Sequence, residues 1–145
     1  METVHATCVA IDGRGVLLRG PSGAGKSDLA LRLISGGAEL VADDYIDVDC
    51  RVGNRLFGSA PPGIRGLLEV RGVGVVRVAS RPVVEIAVVA DLVPPADVDR
   101  MPAAGFVTIA GIRLPRYRIA PFEASAPAKI HLAVRLAIGA AEMAT

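Results

Sequence analysis

Eight consecutive residues, Gly20-Pro21-Ser22-Gly23-Ala24-Gly25-Lys26-Ser27, carry the clearest chemical signal in the chain. A glycine, four residues, then Gly-Lys-Ser is the pattern of a phosphate-binding loop. Glycines let successive backbone N–H groups converge on phosphate oxygens without side chains in the way, and a helix starting at the lysine adds its unpaired first-turn amides and partial positive charge. Lys26 then reaches the β- and γ-phosphates and the Ser27 hydroxyl helps to hold Mg²⁺. Lys26 and Lys129 are the two lysines of the chain, so the ammonium in the loop is not one of a solvated crowd. A second signal follows closely. Asp43-Asp44 ends the apolar run Leu40-Val41-Ala42, where two neighbouring carboxylates can divide the labour of phosphoryl transfer, one serving the metal and the other taking a proton from the attacking hydroxyl.

Those side chains need a strand, a turn, a helix and a second strand in quick succession, and the surrounding residues predict them. Val4 to Ile11 reads as a strand, Asp12-Gly13-Arg14-Gly15 as a turn and Val16 to Arg19 as its returning partner. Lys26 to Ile34 carries Leu29, Ala30, Leu33 and Ile34 at helical spacing and ends at Gly36-Gly37. Leu40 to Ala42 and Tyr45 to Asp49 are short strands, with a tight turn at Gly53-Asn54. Leu67 to Val78 alternates apolar runs with Gly72 and Gly74, Val83 to Leu92 is a nearly unbroken apolar strand, and Phe106 to Ile119 resembles two strands joined near Gly111. A final helix is predicted from Ala128 to Met143, with Ile130, Val134 and Ala137 on its apolar face. The reading is therefore one β-rich α/β domain over residues 1–145, with two helices. Only a short helix and one strand separate Lys26 from Asp43, whereas the common P-loop NTPase fold places its magnesium aspartate after further alternating elements.

Composition narrows the ligands. Hydrophobic residues make up 52% and charged residues 21%, enough apolar material for a continuous core in 145 residues. Aromatics are 3%, Trp is absent and the net charge is +1, which argues against nucleic acid and against an acidic membrane surface as partners. No apolar segment is long enough to cross a bilayer and no basic leader precedes one, so the expected location is the cytoplasm. Cys8 and Cys50 fall in predicted strands and read as reduced, buried thiols. On the residues alone, a phosphate loop with a nearby base suits a protein kinase, a small-molecule kinase or a non-catalytic nucleotide sensor.

Four ordered stretches together resemble the catalytic domain of HPr kinase/phosphorylase: Val4-His5-Ala6, the loop Gly20 to Ser27, Leu40 to Asp44, and Leu68-Glu69-Val70-Arg71-Gly72-Val73-Gly74. The resemblance implies a P-loop kinase domain with a fold similar to that of phosphoenolpyruvate carboxykinase. It implies a protein-serine kinase that uses ATP and Mg²⁺ on an HPr-like phosphocarrier, with reverse phosphorolysis of the product. In it, Asp43 handles the serine proton, His5 and Asp44 tune the site, and Glu69 helps with Mg²⁺ alongside Ser27 and Asp44. It also suggests a homo-hexamer. Longer family members carry an amino-terminal domain, while this chain begins almost at the catalytic core. The family's arginine- and asparagine-bearing loop before the last helix corresponds here to Ala120 to Lys129, where Lys129 is the one cation.

Overall fold

Strand β3 (Arg14–Arg19) runs into the phosphate loop, and it lies inside the main sheet with β2 (Thr7–Ile11) on one side and β9 (Val84–Leu92) on the other. The β2–β3 hairpin is antiparallel, whereas β3 and β9 pair in parallel from Arg14↔Glu85 to Arg19↔Asp91. The far side of β9 is shared. Its beginning pairs with β6 (Arg55–Ser59), antiparallel, and its end with β11 (Ile112–Ile119), parallel. From β6 the sheet continues antiparallel through β5 (Tyr45–Arg51) to β1 (Glu2–His5), and β4 (Glu39–Ala42) closes the opposite end beside β2. Strand β10 (Gly105–Ile109) pairs with β11. A separate two-stranded hairpin is formed by β7 (Leu67–Val70) and β8 (Gly74–Arg77). The computed structural model describes residues 1–144.

Helices α1 (Lys26–Ser35) and α2 (Ala126–Ala137) lie on one face of this mixed sheet. Leu29, Ala30 and Leu33 of α1 and Ala126, Ile130, Ala133 and Val134 of α2 close over Val9, Val16, Leu18, Val88 and Ala90. On the other face the sheet curls, so that β4 touches β5 and β6, and Cys8, Leu17, Val41, Ile46, Val48, Ile86 and Val89 fill the second core. Burial of these aliphatic side chains, at about 25 cal/mol per Å² of apolar surface, is the main favourable term.

Three expectations are corrected. The stretch from Val4 to Ile11 is not one strand, because the chain changes partners at Ala6: β1 pairs with β5, and β2 with β3 and β4. The last helix starts at Ala126 and ends at Ala137 rather than Met143, with Gly139 at φ 78° breaking the helical path, and Ala137 is exposed. Cys8 is buried as expected, but Cys50 is exposed. It shares the parity of the buried Ile46 and Val48, yet it lies one residue pair from the turn that closes the β5–β6 hairpin, where the chain reaches solvent. Burial pushes the Cys8 thiol far up, with a smaller opposing pull from a backbone hydrogen bond at Val16. A thiol reagent at neutral pH should therefore modify one cysteine in the native protein and two after denaturation. Mass spectrometry should place the native adduct on Cys50, and rapid native labelling of Cys8 would contradict its burial.

Candidate active site

The loop between β3 and α1 folds as its glycines predict. Gly23 and Gly25 take φ 82° and 101°, values an L side chain rarely adopts, and Ala24 N donates to Pro21 O at 3.0 Å. No side chain caps α1, and its internal ladder begins only with Leu29 N donating to Gly25 O at 2.9 Å. The first-turn amides are thus left for an anionic ligand. Lys26 is 6% exposed, and its Nζ donates to Gly20 O at 2.7 Å and Pro21 O at 3.1 Å. The ammonium is folded back under its own loop.

Across from the loop, the β4–β5 connection is a tight two-residue turn that bends the chain as it passes from beside β2 to beside β1, with Asp44 at φ 68° and Tyr45 N donating to Asp43 O at 2.8 Å. This turn aims Asp43 at the start of α1. Asp43 Oδ1 accepts from Ser27 Oγ at 2.8 Å and from Thr7 Oγ1 at 3.1 Å, while Oδ2 accepts from the Glu69 backbone N–H at 3.1 Å. A carboxylate offers about four acceptor positions, so one remains, on Oδ2. Asp44 turns the other way, with Oδ1 2.9 Å from His5 Nε2, and the His5 ring lies 5.2 Å from that of Tyr45. Asp44, expected at the metal with Ser27 and Glu69, lines the same cavity as both, while the Ser27 hydroxyl itself donates to Asp43.

These groups open onto a cavity of about 510 Å³, whose wall includes Ser22, Gly23, Lys26, Ser27, Asp43 and Asp44. Glu69 and Arg71, from the β7–β8 hairpin, complete it. Glu69 reaches Asp43 through its backbone amide, and its carboxylate is not part of any three-residue metal-type cluster among the described residues. Lys129 stays outside, paired with Glu123 at 3.4 Å. Two further residues contribute that the sequence did not single out. Thr7 is fully buried and both donates to Asp43 and accepts from the Asp44 N–H at 3.1 Å, bridging the two acids. Phe122 lines the cavity beside the loop. Thr7 looked like an ordinary β-branched strand residue, and Phe122 like part of a connecting turn.

Residues 1–121 match the family model described as the HPr serine kinase C-terminal domain. The chain belongs to that family. Among curated relatives, the HPr kinase/phosphorylase of Lactobacillus acidophilus is 41% identical over 110 residues, covering 69% of this chain and 34% of the relative. That of Brevibacillus brevis is 47% identical over 76 residues, covering 52% of this chain and 24% of the relative. The chain thus spans about a third or less of the length of these curated relatives. A solved structure of the Hpr(Ser) kinase/phosphatase from Coxiella burnetii superposes with a TM-score of 0.81 at 32% identity, covering 93% of this chain and 89% of that one. The mixed α/β fold is that of this HPr kinase family.

Proposed function

We propose that this domain is an ATP- and Mg²⁺-dependent protein-serine kinase that phosphorylates an HPr-like phosphocarrier protein. The observation that carries this reading is Asp43, held by Ser27, Thr7 and Glu69 with one acceptor position left, directly opposite the phosphate loop. Membership of the HPr serine kinase C-terminal domain family supports the choice of substrate class. A protein acceptor also suits the rim, where the β7–β8 hairpin presents Val73 and Val75 to solvent beside the cavity-lining Glu69 and Arg71.

The loop amides and the Lys26 ammonium hold the triphosphate and balance charge gathering on its oxygens in the transition state. The acceptor serine sits with its hydroxyl toward Asp43 Oδ2, which takes the proton as the serine oxygen bonds to the γ-phosphorus. The bond from that phosphorus to the bridging oxygen breaks, and ADP leaves. In reverse, inorganic phosphate attacks the phosphoserine phosphorus, protonated Asp43 returns its proton to the departing serine oxygen, and pyrophosphate forms. Ser27, Asp44 and Glu69 present hard oxygen donors in the same cavity wall that would hold Mg²⁺ together with phosphate oxygens and waters, leaving Asp43 Oδ2 to the acceptor serine. When bound, that ion neutralises charge on the β- and γ-phosphates. The Asp44–His5 pair lies next to the base and shapes the field around it.

Incubation of the purified chain with labelled ATP, Mg²⁺ and HPr-like carriers should place phosphate on a carrier serine, located by mass spectrometry. Nucleotide binding with no transfer to any of several such carriers would refute the reading. Thr7 acts here as a positioning residue. Thr7→Val keeps the volume but removes the hydroxyl that bridges both acids, so kcat should fall several-fold with KM for ATP little changed. Urea denaturation should show a stability loss of about 1 kcal/mol, the scale of one net hydrogen bond.

A further inference from the structure

One side chain of the cavity is not used by any phosphate chemistry. Phe122 lines the same cavity as Lys26, Ser27 and Asp43, yet 69% of it is exposed. The two other phenylalanines are covered by guanidinium groups: Phe57 by Arg51 at 4.3 Å and Arg55 at 4.9 Å, and Phe106 by Arg113 at 3.7 Å. No cation covers Phe122 among the described residues.

The ring is fixed against the loop. A Cβ built on Gly25 would lie 2.8 Å from Phe122 Cζ and 3.1 Å from Cε1, so the ring edge rests on loop backbone that only a glycine leaves free. The turn that carries the ring is clamped to α1 on both sides. Arg32 donates to Pro121 O through Nη2 and to Glu123 O through Nη1 at 3.4 Å, and Asp28 holds the same guanidinium at 3.1 Å. Pro121, with its ring-restricted φ, is buried beneath. A pre-ordered aromatic face at the edge of a polyphosphate cradle matches a nucleobase, whose own flat surface loses water on stacking and finds the partner ring already in place.

We infer that Phe122 is the platform on which the base of the nucleoside triphosphate stacks. The loop grips the phosphates, and the ring holds the other end of the same molecule. This rests on the nucleotide-dependent kinase reading, although it concerns binding alone.

The test compares ATP with inorganic tripolyphosphate, which has the phosphates but no base, by calorimetric titration of the whole chain with Mg²⁺ present. Phe122→Ala should weaken ATP binding about fivefold or more, the low end of what one base–aromatic stack contributes. Tripolyphosphate affinity should stay within twofold. Phe122→Leu keeps an apolar side chain against Gly25 but lacks a ring face, and it should fall with the alanine variant on ATP alone. Equal losses for both ligands would show that the ring merely shapes the loop and would overturn the inference, as would unchanged ATP affinity in the alanine variant. Wild-type protein that binds tripolyphosphate and ATP equally would overturn it too. Carrier phosphorylation is a separate readout: its absence with the base-dependent difference intact would sink the kinase reading and leave the platform standing.

Discussion

Asp43→Asn should reduce carrier phosphorylation by roughly 10²- to 10⁴-fold, the range for loss of a positioned general base, while ATP affinity stays within a few-fold. The geometry makes this a clean exchange. Asparagine matches the shape of aspartate, and its carbonyl oxygen can still accept from the Glu69 amide that now bonds Oδ2 at 3.1 Å. Its NH₂ then replaces Oδ1, where the Ser27 and Thr7 hydroxyls can rotate to accept instead of donate. The scaffold survives; the basicity does not. Steady-state transfer assays paired with calorimetry decide the matter, and transfer within tenfold of wild type would remove Asp43 from the proton's path.

Lys26→Ala should weaken ATP binding by about 10- to 100-fold, the worth of a hydrogen bond to a charged group, and depress transfer further. Two of the three ammonium donors hold Gly20 O and Pro21 O at 2.7 and 3.1 Å, leaving one for a phosphate oxygen. Alanine removes the charge and also unties the loop from the helix it introduces. Lys26→Arg should not restore function, because a planar guanidinium is too wide for a site that is 6% exposed and bounded by two carbonyls. Wild-type affinity in the alanine variant, measured by calorimetry, would show that the backbone amides suffice.

Much of this site was legible because its chemistry is local in sequence. The loop declares itself in eight residues, and the two aspartates end the strand after the next helix. Leu67 to Val78 read only as apolar residues interrupted by Gly72 and Gly74, and the structure places these glycines, at φ 87° and 130°, in the turn of the hairpin that brings Glu69 and Arg71 to the rim. The hidden parts depend on register. Thr7 reaches Asp43 because β2 pairs with β4, with an irregularity between Cys8 and Val9, and nothing in the string Ala6-Thr7-Cys8 announces a buried hydroxyl 36 residues from its partner. The residues alone left the roles of Asp43 and Asp44 open and only the resemblance separated them, whereas in the fold it is the left-handed backbone of Asp44 that sends the neighbouring carboxylates to different partners. Parallel pairing of β3 with β9 joins residues some 70 positions apart and leaves no local mark. Phe122 was missed because an exposed aromatic in a turn becomes meaningful only when the loop it leans on is seen.

The two walls of the cavity are anchored very differently. The phosphate loop grows from β3, an interior strand laced to neighbours along both edges, whereas Glu69 and Arg71 ride on a hairpin bonded only to itself as a sheet. Amide exchange should accordingly be slow at the root of the cradle and quick along the opposing flap. On the proposed reading, a domain so built would grip a nucleotide in a stiff jaw and yield on the other side, where a bulky acceptor would enter and leave.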